Sequence, residues 1–239
     1  MFSNIAVVIG MPRSGTTWLY ENLKLHPDAC VSDVKEINRY LKDMSDQKYL
    51  AYFNGCNDRV MMDISPLYYF DLNALREISR RHDKVILITR DADDWIASLN
   101  KQVGKYNPQA KQMEASGRYS FRIDKGKAIE FDYQKYSHNQ YLDEIKEIFG
   151  GKLLCLNYSM LTNDSYGFLK KVEQYLSLSS FFNPDNYISQ KYNAGEKRIS
   201  PIYSYLYRSG WLDRVSPLLR KVLPRKMMHW LRKWFVYGG

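Results

Sequence analysis

Short apolar runs alternate along the chain with segments whose apolar positions recur every three to four residues, the pattern of strands separated by helices. Ile5 to Ile9 reads as a first strand, followed by a helix from about Gly15 to Leu25 in which Trp18, Leu19, Asn22 and Leu23 share one side, stopped by His26-Pro27. A short strand is expected near Ala29 to Ser32, then a polar helical stretch after Lys35-Glu36, then a strand over Val60 to Ile64. Leu72, Leu75 and Ile78 mark a helix, Lys84 to Thr89 the next strand, and Trp95, Ile96, Leu99 and Val103 the helix after it. Tyr141, Leu142, Ile145, Ile148 and Phe149 mark a helix ending at Gly150-Gly151, and Lys152 to Leu156 is the last clear strand. This order predicts an α/β fold with a central parallel sheet of about five strands, helices on both faces, and ligands at the carboxyl ends of the strands. Arg13, Glu36, Ser65, Arg90 and Tyr158 fall at or just after strand ends, where they are expected to share one crevice.

The stretch Val7 to Leu19, VVIGMPRSGTTWL, joins the first strand to the first helix through a tight loop. Backbone N–H groups in such a loop, with the positive end of the helix dipole, form a seat for a phosphate, so the sheet is expected to be P-loop-like. In nucleoside-triphosphate enzymes a lysine follows the second glycine of this loop, where Thr16 stands in this chain. The cation comes earlier, at Arg13, which suits one 5′-phosphate with a charged leaving bond beside it rather than a polyphosphate with magnesium.

Pro12 to Leu19, PRSGTTWL, resembles the 5′-phosphosulfate loop of sulfotransferases that use 3′-phosphoadenosine-5′-phosphosulfate (PAPS). The resemblance extends to VILITRDADDWIAS, where it implies that Arg90 and Ser98 hold the 3′-phosphate; Ala92 replaces a common proline. An arginine offers a planar fork of donors and a serine hydroxyl adds another. Arg13 would neutralise the bridging oxygen as charge builds on it, while Ser14, Gly15, Thr16 and Thr17 hold the 5′-phosphate; no metal is needed. Trp18 either stacks on the adenine, as the family counterpart does, or is a core tryptophan on the helix's inner side.

The transfer also needs a base. VKEINRYL, Val34 to Leu41, resembles the KExxxF-like segment of carbohydrate and bacterial sulfotransferases, which makes Glu36 the candidate base with Lys35 beside it at the acceptor. Ile37 replaces a frequent proline, Asn38 falls where some members carry histidine, and Tyr40 stands for phenylalanine. On spacing alone, Glu36 reads as a surface carboxylate paired with Lys35 or Arg39; the resemblance is what makes it the base. Members acting on phenols and steroids use a histidine, and His138 is the rival that fits that role. DISPLYYF, Asp63 to Phe70, resembles the (E/D)xSPxY stretch next to the acceptor site, which nominates Ser65. YNAGEKRISPIYSYL resembles a bacterial segment in which Lys197 and Arg198 would close over the 3′-phosphate.

Composition supports one domain spanning 1–239: 45% of residues are apolar, 26% charged, and no Pro/Gly/Ser-rich linker divides them. The formal charge of +9 favours anionic ligands, and with no nucleic-acid reader motif it points to the cofactor and to a small-molecule or glycan acceptor. Cys30, Cys56 and Cys155, odd in number and irregularly spaced, read as buried free thiols of a reducing compartment, hence a cytoplasmic protein. The N-terminal apolar run reads as a strand rather than a signal peptide, and no apolar stretch is long enough to span a bilayer.

The polar region Gly104 to Lys127 lacks clean periodicity and carries Lys105, Lys111, Arg118, Arg122, Lys125 and Lys127 against Glu114 and Asp124; acceptor specificity is expected there. Arg225 to Phe235 forms a basic amphipathic helix that packs on the domain or lies on an anionic bilayer, the latter implying peripheral contact with the inner membrane. The alternatives to a sulfotransferase are a small P-loop kinase, with Asp63 as a magnesium-holding aspartate, and a non-catalytic nucleotide-binding or membrane-attached module.

Overall fold

The computed structural model describes residues 2–106, 113, 115–124 and 127–189. Two compact units divide the chain, 1–99 with 117–192 and 100–116 with 193–239. Everything described below belongs to the first, except the last turns of one helix.

Five parallel strands form the central sheet: β1 (Ile5–Gly10), β2 (Ala29–Val31), β3 (Val60–Ile64), β4 (Val85–Thr89) and, later in the chain, a strand over Leu153–Asn157, in the spatial order 2-3-1-4 and then that last strand. Every residue of β1 is buried. A strand covered on both faces needs a continuous apolar run, which IAVVI supplies. Ala6 and Val8 of β1, Met62 and Ile64 of β3, and Ile86 and Ile88 of β4 pack beneath α1 (Thr16–Leu23) through Trp18, Leu19 and Leu23. Ile5 points to the other face, against Phe2, Ile37, Phe53 and Tyr49, the last carried by α2 (Asp46–Leu50). Each such side chain contributes about 1.5–3 kcal/mol on full burial.

The expected helices after β3 and β4 are α3 (Leu72–Arg81), capped by the Asp71 carboxylate, and α4 (Ala92–Tyr106). After β5 (Arg118–Asp124) and β6 (Lys127–Asp132) come α5 (Tyr133–Ser137), α6 (Asn139–Phe149), β7 (Leu153–Asn157), α7 (Tyr158–Asn163) and α8 (Ser165–Leu176). The hydroxyl of Ser79 on α3 donates to the Ile148 carbonyl on α6. On the α1 face, Phe168, Leu169, Val172 and Leu176 of α8 complete the core. Helices therefore cover both faces, as expected.

Three expectations are corrected. The stretch after Glu36 is not one helix: a 3-10 turn (Arg39–Leu41) and α2 are separated by residues 42–45, and Ser45 starts α2 by accepting the Lys48 N–H. Part of the aperiodic region is an antiparallel hairpin, β5 with β6, pairing Tyr119 with Phe131 and Phe121 with Ile129. Its inner face joins an aromatic stack in which Phe131 lies 4.0 Å from Phe70 and 6.0 Å from Trp95, ring centre to ring centre. The alternation of Tyr119, Phe121 and Ile123 is period two, masked in sequence by the basic residues between them.

The third correction concerns the cysteines. Cys30 and Cys56 form a disulfide, with Cα atoms 5.5 Å apart, and Cys155 is free but exposed. Pairing of β2 with β3 sets Cys30 opposite Met61, and the turn before β3 brings Cys56 back to it. Disulfides persist in oxidising compartments, so the thiol argument for a cytoplasmic location falls. Among the described residues no helix is long and apolar enough to cross a membrane. Lys197, Arg198 and the segment 225–235 lie outside the described residues.

Candidate active site

The phosphate loop leaves β1 at Gly10, where a Cβ would meet the Ile88 carbonyl oxygen of β4 at 2.4 Å. Only a glycine lets the two backbones run this close. Beyond it, Met11 N–H donates to Ile88 O (3.1 Å) and Ser14 N–H to Met11 O (3.2 Å), folding the chain back on itself. Arg13 and Gly15 sit at φ 72° and 91°. The left-handed conformation costs a non-glycine residue about 1–2 kcal/mol, so Arg13 must be held there by its surroundings.

Three contacts from β4 and α4 do this. Arg90 Nη1 donates to the Arg13 carbonyl (2.9 Å), Trp95 Nε1 to the Pro12 carbonyl (2.9 Å), and the Arg90 N–H to Met11 Sδ (3.3 Å). Arg13 Nε in turn donates to Ser98 Oγ on α4 (3.3 Å). Arg13, Arg90 and Ser98, nominated from two distant segments, thus form one cluster.

Anion chemistry fits this cluster. The first N–H groups of α1 have no partner within the helix. Gly15 caps α1 without a side chain and no acidic residue occupies its first turn, whereas α2, α3, α5, α7 and α8 are each capped by a side-chain oxygen. Ser14 Oγ and Arg90 Nε are buried with no hydrogen-bond partner among the described residues. The orphaned Ser14 hydroxyl and Arg90 Nε, with Arg13 as a second cation beside them, suit an anion such as the 5′- or 3′-phosphate of PAPS. Thr16 is buried and Thr17 half-buried at the start of α1. The Arg90 guanidinium also lies 4.4 Å above the ring of Tyr158, and Tyr158 in turn packs against Gly15. Tyr158 joins this cluster; its place directly after β7 was the legible signal.

Trp18 is 4% exposed, edge-on to Phe168 and Tyr187, with its indole N–H donating to the Ile188 carbonyl. Of its two readings, the structure gives it the core position.

On the acceptor side, Lys35 and Glu36 form an ion pair, both side chains part-exposed, while Arg39 turns away to Asp46. Glu36 and Asn38 are left-handed, at φ 64° and 53°, with Ile37 buried between them. The Glu36 N–H donates to the Ile64 carbonyl at the end of β3 (3.1 Å). Ser65 is fully buried: its hydroxyl donates to Asp63 (2.6 Å) and accepts the Asn38 N–H (3.1 Å). It shapes the acceptor side from beneath rather than lining it. His138 stands exposed at the start of α6.

Asp63 is not a magnesium ligand. It is fully buried, and the hydroxyls of Tyr49 and Tyr68 (both 3.0 Å) join that of Ser65 on its carboxylate. Burial raises its pKa, partly offset by those three donors. Beside it, the Tyr40 hydroxyl meets His82 Nε2, while His82 Nδ1 lies 2.8 Å from the Ile5 carbonyl. A carbonyl only accepts, so Nδ1 carries the proton and Nε2 receives the one from Tyr40. Burial pushes Tyr40 up to about 12 and His82 down to about 4.

A sulfotransferase domain profile matches residues 4–193. Mouse (Mus musculus) heparan sulfate glucosamine 3-O-sulfotransferases 3B1 and 3A1 are each 24% identical over 184 residues, 72% of this chain, which spans just under half of either relative (46% and 45%). A sulfotransferase from Alicyclobacillus acidocaldarius superposes with a TM-score of 0.61 at 13% identity, over 90% of this chain and 92% of its own. Mouse sulfotransferase SULT7A1, solved with PAP, gives 0.51 at 20% identity, over 77% and 60%. With a matching profile over most of its length and the phosphate loop, Arg90 and Ser98 gathered at the ends of β1 and β4, the chain belongs to the sulfotransferase family, the PAPS-dependent enzymes that Pro12 to Leu19 resembles.

Proposed function

We propose that the chain transfers the sulfuryl group of PAPS to a hydroxyl of a carbohydrate, glycolipid or similar acceptor. The observation that supports this reading is the join between Arg90, Arg13 and Ser98, as expected of a 3′-phosphate site lying against a 5′-phosphate loop. Bound PAPS supplies an electrophilic sulfur and a bisphosphate leaving group. Ser14, Gly15, Thr16 and Thr17 hold the 5′-phosphate by hydroxyl and backbone N–H groups, and Arg13 stabilises the negative charge that builds on the bridging oxygen. Arg90 and Ser98 bind the 3′-phosphate, joined on the sequence alone by Lys197 and Arg198. Glu36 takes the acceptor hydroxyl proton as the new S–O bond forms and the bond to the 5′-phosphate breaks, and Lys35 steadies the carboxylate.

The PAP held by the mouse SULT7A1 structure supports the cofactor, and the glucosamine-directed names of the mouse relatives support a sugar acceptor. The net charge of +9 favours an acidic glycan.

Calorimetric titration with 3′-phosphoadenosine-5′-phosphate (PAP), 5′-AMP and ATP with magnesium tests the cofactor. Tight binding of PAP, weaker for AMP and lost in Arg90→Ala, is expected; preference for magnesium ATP would overturn the reading. Sulfate transfer from labelled PAPS to heparosan oligosaccharides, with a simple phenol for comparison, tests the acceptor. Turnover of the phenol alone would exclude the glycan.

A further inference from the structure

Glu36 occupies a left-handed backbone conformation that a glutamate resists. It costs about 1–2 kcal/mol there, whereas Asn38, two residues on and also left-handed, is of a type that tolerates the region, so something must hold Glu36 in place. The hold is in the buried polar layer beneath it. Asp63 collects three hydroxyls, two of which, from Tyr49 and Tyr68, fix the carboxylate, while the third, from Ser65, passes the constraint upward by accepting the Asn38 N–H. Ile64, between Asp63 and Ser65, accepts the Glu36 N–H. Both left-handed residues are therefore pinned to the end of β3, and Ile37 is sunk into the apolar cluster between them.

We propose that Asp63 and Ser65 are positioning residues, a buried carboxylate–hydroxyl relay that aims Glu36 through the Asn38 N–H and touches neither cofactor nor acceptor. The inference rests on the reading of Glu36 as the base. A buried carboxylate held by three hydroxyls, with both oxygens engaged, is rigid, and an error of about 1 Å at a reacting group costs on the order of 100-fold in rate.

The test uses PAPS hydrolysis, with water as the acceptor, so that it needs no glycan. A proton passes from water to Glu36, the water oxygen bonds to sulfur, and PAP leaves with the electrons of the broken S–O bond. Ser65→Ala is expected to slow this reaction about 10- to 100-fold, with PAP affinity unchanged by calorimetry. Ser65→Thr, which keeps the hydroxyl, should restore the rate. Tyr49→Phe, which removes a hydroxyl from Asp63 but leaves the Ser65–Asn38 link, should lower thermal stability with the rate held within about threefold. If Ser65→Ala loses PAP binding, Asp63→Asn takes its place with the same expectation. Glu36→Gln separates the two readings. A slow Glu36→Gln beside a wild-type rate in Ser65→Ala would overturn the relay alone, whereas a wild-type rate in Glu36→Gln would overturn the base and the relay with it. Equal loss of stability and rate in Ser65→Ala and Tyr49→Phe would reduce the layer to a structural role.

Discussion

Arg90 donates a hydrogen bond to the backbone carbonyl of Arg13, so the residue that ends β4 also braces the left-handed turn of the phosphate loop. On the proposed reading, one guanidinium thereby serves both phosphate subsites. Substitution should weaken both, but unequally. Arg90→Lys keeps the charge and loses the planar fork; PAP should bind about 10- to 100-fold more weakly, and 5′-AMP less affected, since it lacks the phosphate the fork would hold. Calorimetry with the two nucleotides measures the difference directly.

The approach of β1 to β4 makes Gly10 the least replaceable glycine in the sheet. Gly10→Ala would drive a methyl to 2.4 Å from the Ile88 carbonyl oxygen, a backbone atom that cannot swing aside. A loss of about 3 kcal/mol or more is expected in chemical denaturation. Gly151→Ala, with nothing within 4 Å of the new methyl, should stay within about 0.5 kcal/mol of wild type.

His82 gives the fold a pH dependence of defined sign. Its pKa is lowered by burial from 6.5 to about 4, so between those values the unfolded chain binds a proton that the folded chain refuses. Its contribution is complete above pH 6.5 and drains away as pH falls towards 4, by about 3 kcal/mol at most. Asp63, raised by burial, acts in the opposite direction at the acidic end. Melting temperatures across this range should fall more steeply for wild type than for His82→Gln; parallel curves would remove His82 as the source.

The disulfide predicts a thiol count. Denatured without reductant, the chain should expose one reactive thiol, Cys155, and after reduction three. Opening a link that spans 26 residues should cost about 3–4 kcal/mol of stability. Ellman titration and denaturation with and without reductant check both numbers.

Much of this was legible because local pattern and tertiary role coincide. Val60 to Ile64 is a strand in sequence and in space because it is apolar, short and bounded by turn residues. The loop at Arg13 was readable as a phosphate seat from its strand–loop–helix pattern, and the pair Arg90 and Ser98 from the resemblance of their segment to that of PAPS-dependent sulfotransferases. What escaped were relationships between segments. Nothing in the spacing of Cys30 and Cys56 says that β2 will lie against β3. Ser65 reads as an acceptor contact because DISPLYYF resembles the (E/D)xSPxY stretch, yet the Asn38 backbone closes over it. The hairpin of β5 and β6 escaped because charges interrupt its alternation, and what holds it is the distant aromatic wall of Phe70 and Trp95.

β1 is hydrogen-bonded to β3 on one side and to β4 on the other. The last residue of β3, Ile64, accepts the Glu36 N–H, and Arg90 directly follows β4. On the proposed reading, proton acceptor and anion cradle therefore stand at the ends of two strands separated only by β1. The span across which the sulfuryl group must travel is as stiff as two rows of interstrand hydrogen bonds. On that reading the in-line geometry is set by the sheet rather than by the closing of a domain.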